Sequence, residues 1–262
     1  KWDGYVSVLN RLTDLSMETD DWSEAIEYNR EATMIAGENL QKTHPERIYC
    51  HINRGRTLSE EGYCDQAREI FEVAIEDLLN GGFTDHHYTA TAYSCLAEEY
   101  DHVWDFSRAV YYHTMALTID RNLYPEDHPV IAGHLGRLGE TSIYAGESKE
   151  SLRNIRKSLR IYLMNYGEEH PKTGKAYADI ANFYFYERER DSVEIYSEKA
   201  LKIIQRFLPE NHFYFALVHQ RLAYHYEFWD DFKKAISHIK RAIFILESRD
   251  IYDHRRIAWS YN

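Results

Sequence analysis

The sequence predicts an all-α solenoid of antiparallel helix pairs, and three observations carry that prediction. A histidine recurs every 42 residues, at His44, His86, His128, His170, His212 and His254. Small residues recur in register with it. The core-type positions between are spaced by 3, 4 and 7 residues, which is helical, and nowhere alternate with the period of two that a strand requires. A fixed period of this length marks stacked supersecondary units, so one elongated array is expected across residues 1–262.

Cut at the histidines, the units are 2–43, 44–85, 86–127, 128–169, 170–211 and 212–253, with a partial seventh over 254–262. Trp2 stands where the other units have His. Eleven residues past the histidine comes a small residue in five of six units: Gly55, Ala97, Gly139, Ala181 and Ala223. Leu12, Leu96, Leu138, Ile180 and Leu222 precede that column. Fourteen past the histidine stand Tyr100, Tyr184 and Tyr226. In the second half of each unit Ala25, Ala67, Ala109, Ser151, Val193 and Ala235 form one column. Ala32, Ala74, Ala116, Ser158, Ala200 and Ala242 form another, seven residues on. Small side chains let two helices, and the next unit, approach closely. Each unit therefore reads as two helices joined by a short turn, near Gly62 or Gly146 where a glycine is present.

The five prolines sit in or beside the junctions, at Pro45, Pro125, Pro129, Pro171 and Pro209, so none interrupts a helix. In "EDHP" and "EEHP" the proline falls in the first helical turn, where its missing N–H costs nothing. Acidic residues before it complement the positive helix terminus. The histidine is then a junction residue. One histidine per stacked unit makes a row and not a tetrahedral cluster, and there is no HExxH or paired CxxC, so no metal and no cofactor is expected.

A balance of 31 basic against 43 acidic residues gives a formal charge of −12. An acidic chain repels phosphate backbones and anionic lipids, which argues against nucleic-acid and membrane partners. Cys50, Cys64 and Cys95 are odd in number and irregularly spaced, as reduced thiols of a cytoplasmic protein would be. No apolar run reaches membrane-spanning length. The chain does not begin with Met, and a piece of a longer protein is expected. There is no phosphate-binding glycine loop, nucleophile elbow or repeated acid–base pair, so it reads as non-enzymatic.

The columns Leu-small-x-x-Tyr, Ala, and Ala seven residues on resemble the tetratricopeptide repeat (TPR), whose usual unit is about 34 residues. The longer unit, with "LYPEDHP", "NYGEEHP" and "FLPENH" at its junctions, resembles the kinesin-light-chain type of that repeat. The resemblance implies a right-handed superhelix whose concave face is built by the first helix of each pair. Positions 4, 7, 11 and 14 past the histidine then face the core, and positions 5, 9, 12 and 16 line the groove. Among these, Asn53, Arg56, Arg137, Asn182 and Arg221 offer groups able to grip a peptide backbone or a carboxylate. Tyr144, Tyr186, Tyr224 and Phe228, with Phe185 beside them, give the C-terminal half an aromatic lining of the type that dominates interface hot spots. The alternative is that the aromatics pack between helices and the arginines pair with neighbouring glutamates.

Within "GHLGRLG", Gly133 and Gly136 are unexplained by the small-residue column, and each costs a helix about 1 kcal/mol relative to Ala. They mark either close approach of a ligand backbone or tight packing between repeats. The resemblance implies a scaffold that binds a protein segment or peptide. A regulatory or sensor domain of a larger signalling enzyme or nucleotide-binding switch protein, contacting other domains of its own chain, is the alternative. A receptor for a short signalling peptide is a third form of the same idea.

Overall fold

A computed structural model describes residues 1–19, 21–207 and 212–248. The described residues hold twelve α-helices and no strand: α1 Trp2–Glu18, α2 Trp22–Asn39, α3 Pro45–Glu60, α4 Cys64–Asn80, α5 His87–His102, α6 Phe106–Leu123, α7 Pro129–Tyr144, α8 Ser148–Tyr166, α9 Pro171–Tyr186, α10 Arg190–Phe207, α11 Phe213–Phe228 and α12 Phe232–Glu247. They fall in six pairs that match the six full units of the sequence. Pro209, His254 and the partial seventh unit lie outside the described residues.

The chain divides into two compact units, Lys1–Tyr124 and Pro125–Asn262, where the sequence predicts one continuous array. In the first, hairpins α1–α2, α3–α4 and α5–α6 stack so that α3 and α5 each pack on both helices of the preceding pair. The second repeats this with α7–α8, α9–α10 and α11–α12. In each unit the first helices of the pairs thus form one layer.

The predicted columns build the interior. Ala25, Ala67, Ala109, Ser151, Val193 and Ala235 are all buried, as are Ala32, Ala74, Ala116, Ser158, Ala200 and Ala242. Ser151 and Ser158, which replace alanines in α8, donate to the carbonyls of Gly139 and Ala132 on α7 at 2.7 Å each, so neither hydroxyl is left bare. The eleventh column is small for a steric reason. A Cβ on Gly55 would lie 2.5 Å from Phe71 Cε1, and one on Gly139 would lie 2.6 Å from Ile155 Cγ1.

The recurring histidine has a definite role. His44, His86, His128, His170 and His212 each precede a first helix with extended backbone, and each Nδ1 accepts from the amide two residues on, at 3.1–3.3 Å. They are N-caps, each satisfying one of the amides a helix start leaves without a partner. Pro45, Pro129 and Pro171 follow at the first helical position. Asp21, Asp105 and Asp231 cap the second helices α2, α6 and α12.

The turn within each pair also has a fixed conformation. Gly62, Trp104, Gly146, Arg188 and Asp230 occupy one column and all have φ between 56° and 92°. The left-handed turn is therefore a property of the repeat, and three units adopt it with a side chain that disfavours it.

Candidate functional site

In the first unit, Asn53 and Arg56 of α3 face a neighbour and not a groove. Asn53 is fully buried, its Oδ1 accepting from Arg56 at 2.9 Å. Arg56 Nη1 also donates to Asp14 of α1 at 2.6 Å, and Asp14 accepts from the Tyr49 hydroxyl at 3.0 Å. This network ties α1 to α3. Asn53 is thus no surface residue.

In the second unit, the same columns on α7, α9 and α11 hold a denser charge network. Arg221 of α11 pairs with Glu140 of α7 and lies 3.5 Å from Asp179 of α9. Lys175, one turn before Asp179, donates to it at 3.1 Å. Burial pushes the Asp179 carboxyl upward, with Lys175 opposing and Glu140 adding to the rise. Burial also works against Glu140, but Arg221, Lys175 and Arg137 together hold it below the usual carboxylate range. Arg137 itself is exposed on α7.

Beside this network stands an aromatic ledge. Tyr144, Tyr186, Tyr224 and Phe228 are 38%, 42%, 56% and 47% exposed, values that set them apart from the core tyrosines of the repeat. Tyr144 and Tyr186 meet edge to face with centroids 5.4 Å apart. Asn182 donates to the Tyr144 hydroxyl at 3.3 Å. Burial and the adjacent Tyr144 and Tyr224 push the Tyr186 hydroxyl upward, so it stays neutral and able to donate. Other large apolar side chains are exposed on the second helices, among them Met34, Tyr111 and Phe244. The ledge differs in recurring on the three first helices of this unit, with Tyr144, Tyr186 and Phe228 in one column of the repeat.

Two expectations need correction. Phe185 does not line a surface. It is buried beneath the ledge, stacked on His225 at 4.1 Å and edge-on to Tyr224 and Phe228 at 5.3 and 5.2 Å. It lies one residue before Tyr186, and that step of about 100° turns it from the surface to the interior. Asn182, at 3% exposure, is likewise a support for Tyr144 and not a contact surface. The second correction concerns Gly133 and Gly136. A Cβ on Gly133 would meet the Tyr162 hydroxyl at 3.5 Å, and one on Gly136 would meet Ser158 Oγ at 3.3 Å. Both face α8 rather than a groove, but only at Gly136 is the contact tighter than ordinary, so hairpin packing accounts for Gly136 and leaves Gly133 without a packing reason.

No protein-family profile matches the sequence, and no curated protein does. Solved structures do match in fold. NprR in complex with its cognate peptide NprX gives a TM-score of 0.73 at 14% identity, over 99% of this chain and 70% of that one. A Rap protein complexed with competence and sporulation factor gives 0.69 at 11% identity, over 95% and 74%. The nearly identical TPR-like repeats ascribed to a kinesin light chain in Podosopora anserina give 0.60 at 17% identity, over 79% and 97%. The chain has the tetratricopeptide-type all-α repeat fold, and among the described residues no helix is long and apolar enough to cross a membrane.

Proposed function

We propose that the chain is a non-catalytic scaffold that binds a protein segment or peptide on the face formed by α7, α9 and α11. The observation that carries this reading is the ledge of Tyr144, Tyr186, Tyr224 and Phe228, exposed at recurring positions where the repeat does not need an apolar side chain. Aromatic faces accept apolar side chains at low entropic cost, and Tyr hydroxyls bond a main chain. Arg137 and Lys175, on the same first helices α7 and α9, supply charge for an acidic group of the ligand. The fold similarity to NprR, solved with its cognate peptide, supports a peptide-sized ligand over a large folded partner.

The test uses peptides selected from a displayed random library against the chain. Binding on this face slows amide hydrogen exchange in the last turns of α7, α9 and α11, and leaves the outward turns of α8 and α12 unchanged. Protection confined to the second helices places the interaction elsewhere and ends the proposal.

A further inference from the structure

One cluster in the first unit belongs to neither the scaffold nor the ledge. Cys64, at the start of α4, lies against Glu99 and His102, at the end of α5. The cysteine sulfur, a glutamate oxygen and a histidine ring nitrogen all lie within 4.8 Å of one another. The fold brings them together because the end of a first helix meets the start of the preceding unit's second helix. Glu99 and His102, three residues apart, share one face of α5. The left-handed turn at Gly62 delivers the chain into α4 two residues before Cys64.

The repeat does not call for these residues. At the position of Cys64 the other units have Trp22, Phe106, Ser148, Arg190 and Phe232. At the position of Glu99 they have Leu15, Thr57, Thr141, Phe183 and His225. A carboxylate here is costly, since the Glu99 side chain is only 1% exposed. One of its oxygens is engaged: Ser59 donates to Oε1, and His102 Nδ1 lies 3.6 Å from it. Oε2 is buried with no hydrogen-bond partner. A buried carboxylate thus lies within reach of both a thiol and an imidazole.

We infer that Cys64, Glu99 and His102 form a binding site for a borderline-soft divalent cation, Zn2+ by preference. Sulfur and imidazole select against Mg2+ and Ca2+, and three protein ligands leave a fourth tetrahedral position for water. Zinc ligands sit about 3.5 Å apart, so the cluster must close by roughly 1 Å. His102 has the freedom to do so, as the last residue of α5 with a side chain 41% exposed. Cys64 opens α4, where the helix field favours an anionic thiolate. Ser59 orients the carboxylate from behind, as an outer-sphere partner does. The other thiols do not compete: Cys50 and Cys95 are buried, and burial pushes the Cys50 thiol up to about 12.

The experiment is a titration of the chelator-stripped chain with Co2+, followed by Zn2+ competition. One equivalent of Co2+ should give the intense visible bands of a four-coordinate site and a near-ultraviolet sulfur-to-cobalt band, both erased by Zn2+. Cys64→Ser should abolish the sulfur band. His102→Ala, at an exposed helix end, should weaken Zn2+ binding at least about tenfold, and Ser59→Ala by about ten- to a hundredfold. Thermal melts of the metal-free variants separate loss of ligand from loss of fold. A pale six-coordinate Co2+ spectrum, or Zn2+ affinity indifferent to both Cys64→Ser and His102→Ala, would overturn the inference and leave an ordinary His102–Glu99 contact.

Discussion

Arg221 and Glu140 form an ion pair between helices two repeats apart, 81 residues along the chain, and Asp179 of the intervening repeat sits 3.5 Å from the same guanidinium. One side chain therefore ties α7, α9 and α11 together beneath the ledge. Both members of the pair are mostly buried, at 18% and 23% side-chain exposure. Removing one partner strands the other in a low-dielectric site. Arg221→Met should cost about 3 kcal/mol of stability by urea unfolding, and adding Glu140→Met should recover most of it. A loss below about 1 kcal/mol would show that the network is solvated and weak. It follows that charge reversal at Arg221 tests stability before it tests binding.

The His86 and His170 caps make stability sensitive to acid, because a protonated Nδ1 cannot accept. His170→Ala should cost about 1 kcal/mol, and His170→Asn should restore it, since Asn is among the best caps. Burial holds His86 and His170 below the ordinary 6.5. A depressed histidine gives stability that is complete above 6.5 and lost as pH falls below it. Differential scanning calorimetry from pH 7.5 to 5 checks both points.

His225 should dominate that acid loss in the second unit. It is buried, neither ring nitrogen has a hydrogen-bond partner, and burial, with Arg221 adding, pulls it down to about 3. The neutral ring is intact above 6.5, and forcing a proton onto it costs about 2 kcal/mol between pH 7 and pH 5. His225→Phe, which copies Phe183 of the preceding repeat, should flatten the pH dependence of unfolding over that range. A variant that loses stability with acid as steeply as the parent would place the effect on other groups.

Three glycines of α7 should respond differently to alanine. Gly133→Ala meets only an ordinary contact, so it should gain up to about 1 kcal/mol of helix propensity. Gly136→Ala should be near neutral, as Ser158 must shift. Gly139→Ala places a methyl group 2.6 Å from Ile155 Cγ1 and 3.1 Å from the Ser151 carbonyl, and overpacking of that kind costs about 1–3 kcal/mol. The order Gly133, Gly136, Gly139 in denaturation midpoints is the expected result.

The repeat itself was legible because its signals are periodic: alanine columns and junction prolines sit where helix pairs need them. What single residues do was less so. Histidine is not among the preferred N-caps, so the capping role of the ladder is visible only in the bond that Nδ1 accepts from the amide two residues on. Gly62 and Gly146 hint at a left-handed turn, but Trp104, Arg188 and Asp230 hide that five units share it. Phe185 was misplaced by one residue, which on a helix is the difference between surface and core. Asn53 and Asn182 lie on the expected side of their helices, yet both are buried there, and Asn182 bonds Tyr144 of the preceding repeat. Cys64 is invisible as a partner of Glu99 and His102 because 35 residues and a repeat boundary separate them.

The most direct test of the central claim is the affinity of one selected peptide for the chain, for the Tyr186→Ala/Tyr224→Ala variant, and for Tyr111→Ala as a control. Tyr111 is as exposed as Tyr224 but lies on the second helix α6. Truncating two hot-spot aromatics should weaken binding at least about tenfold, with the melting temperature held, while Tyr111→Ala leaves affinity unchanged. Equal affinity for all three proteins would contradict the account and remove the ledge as the binding surface.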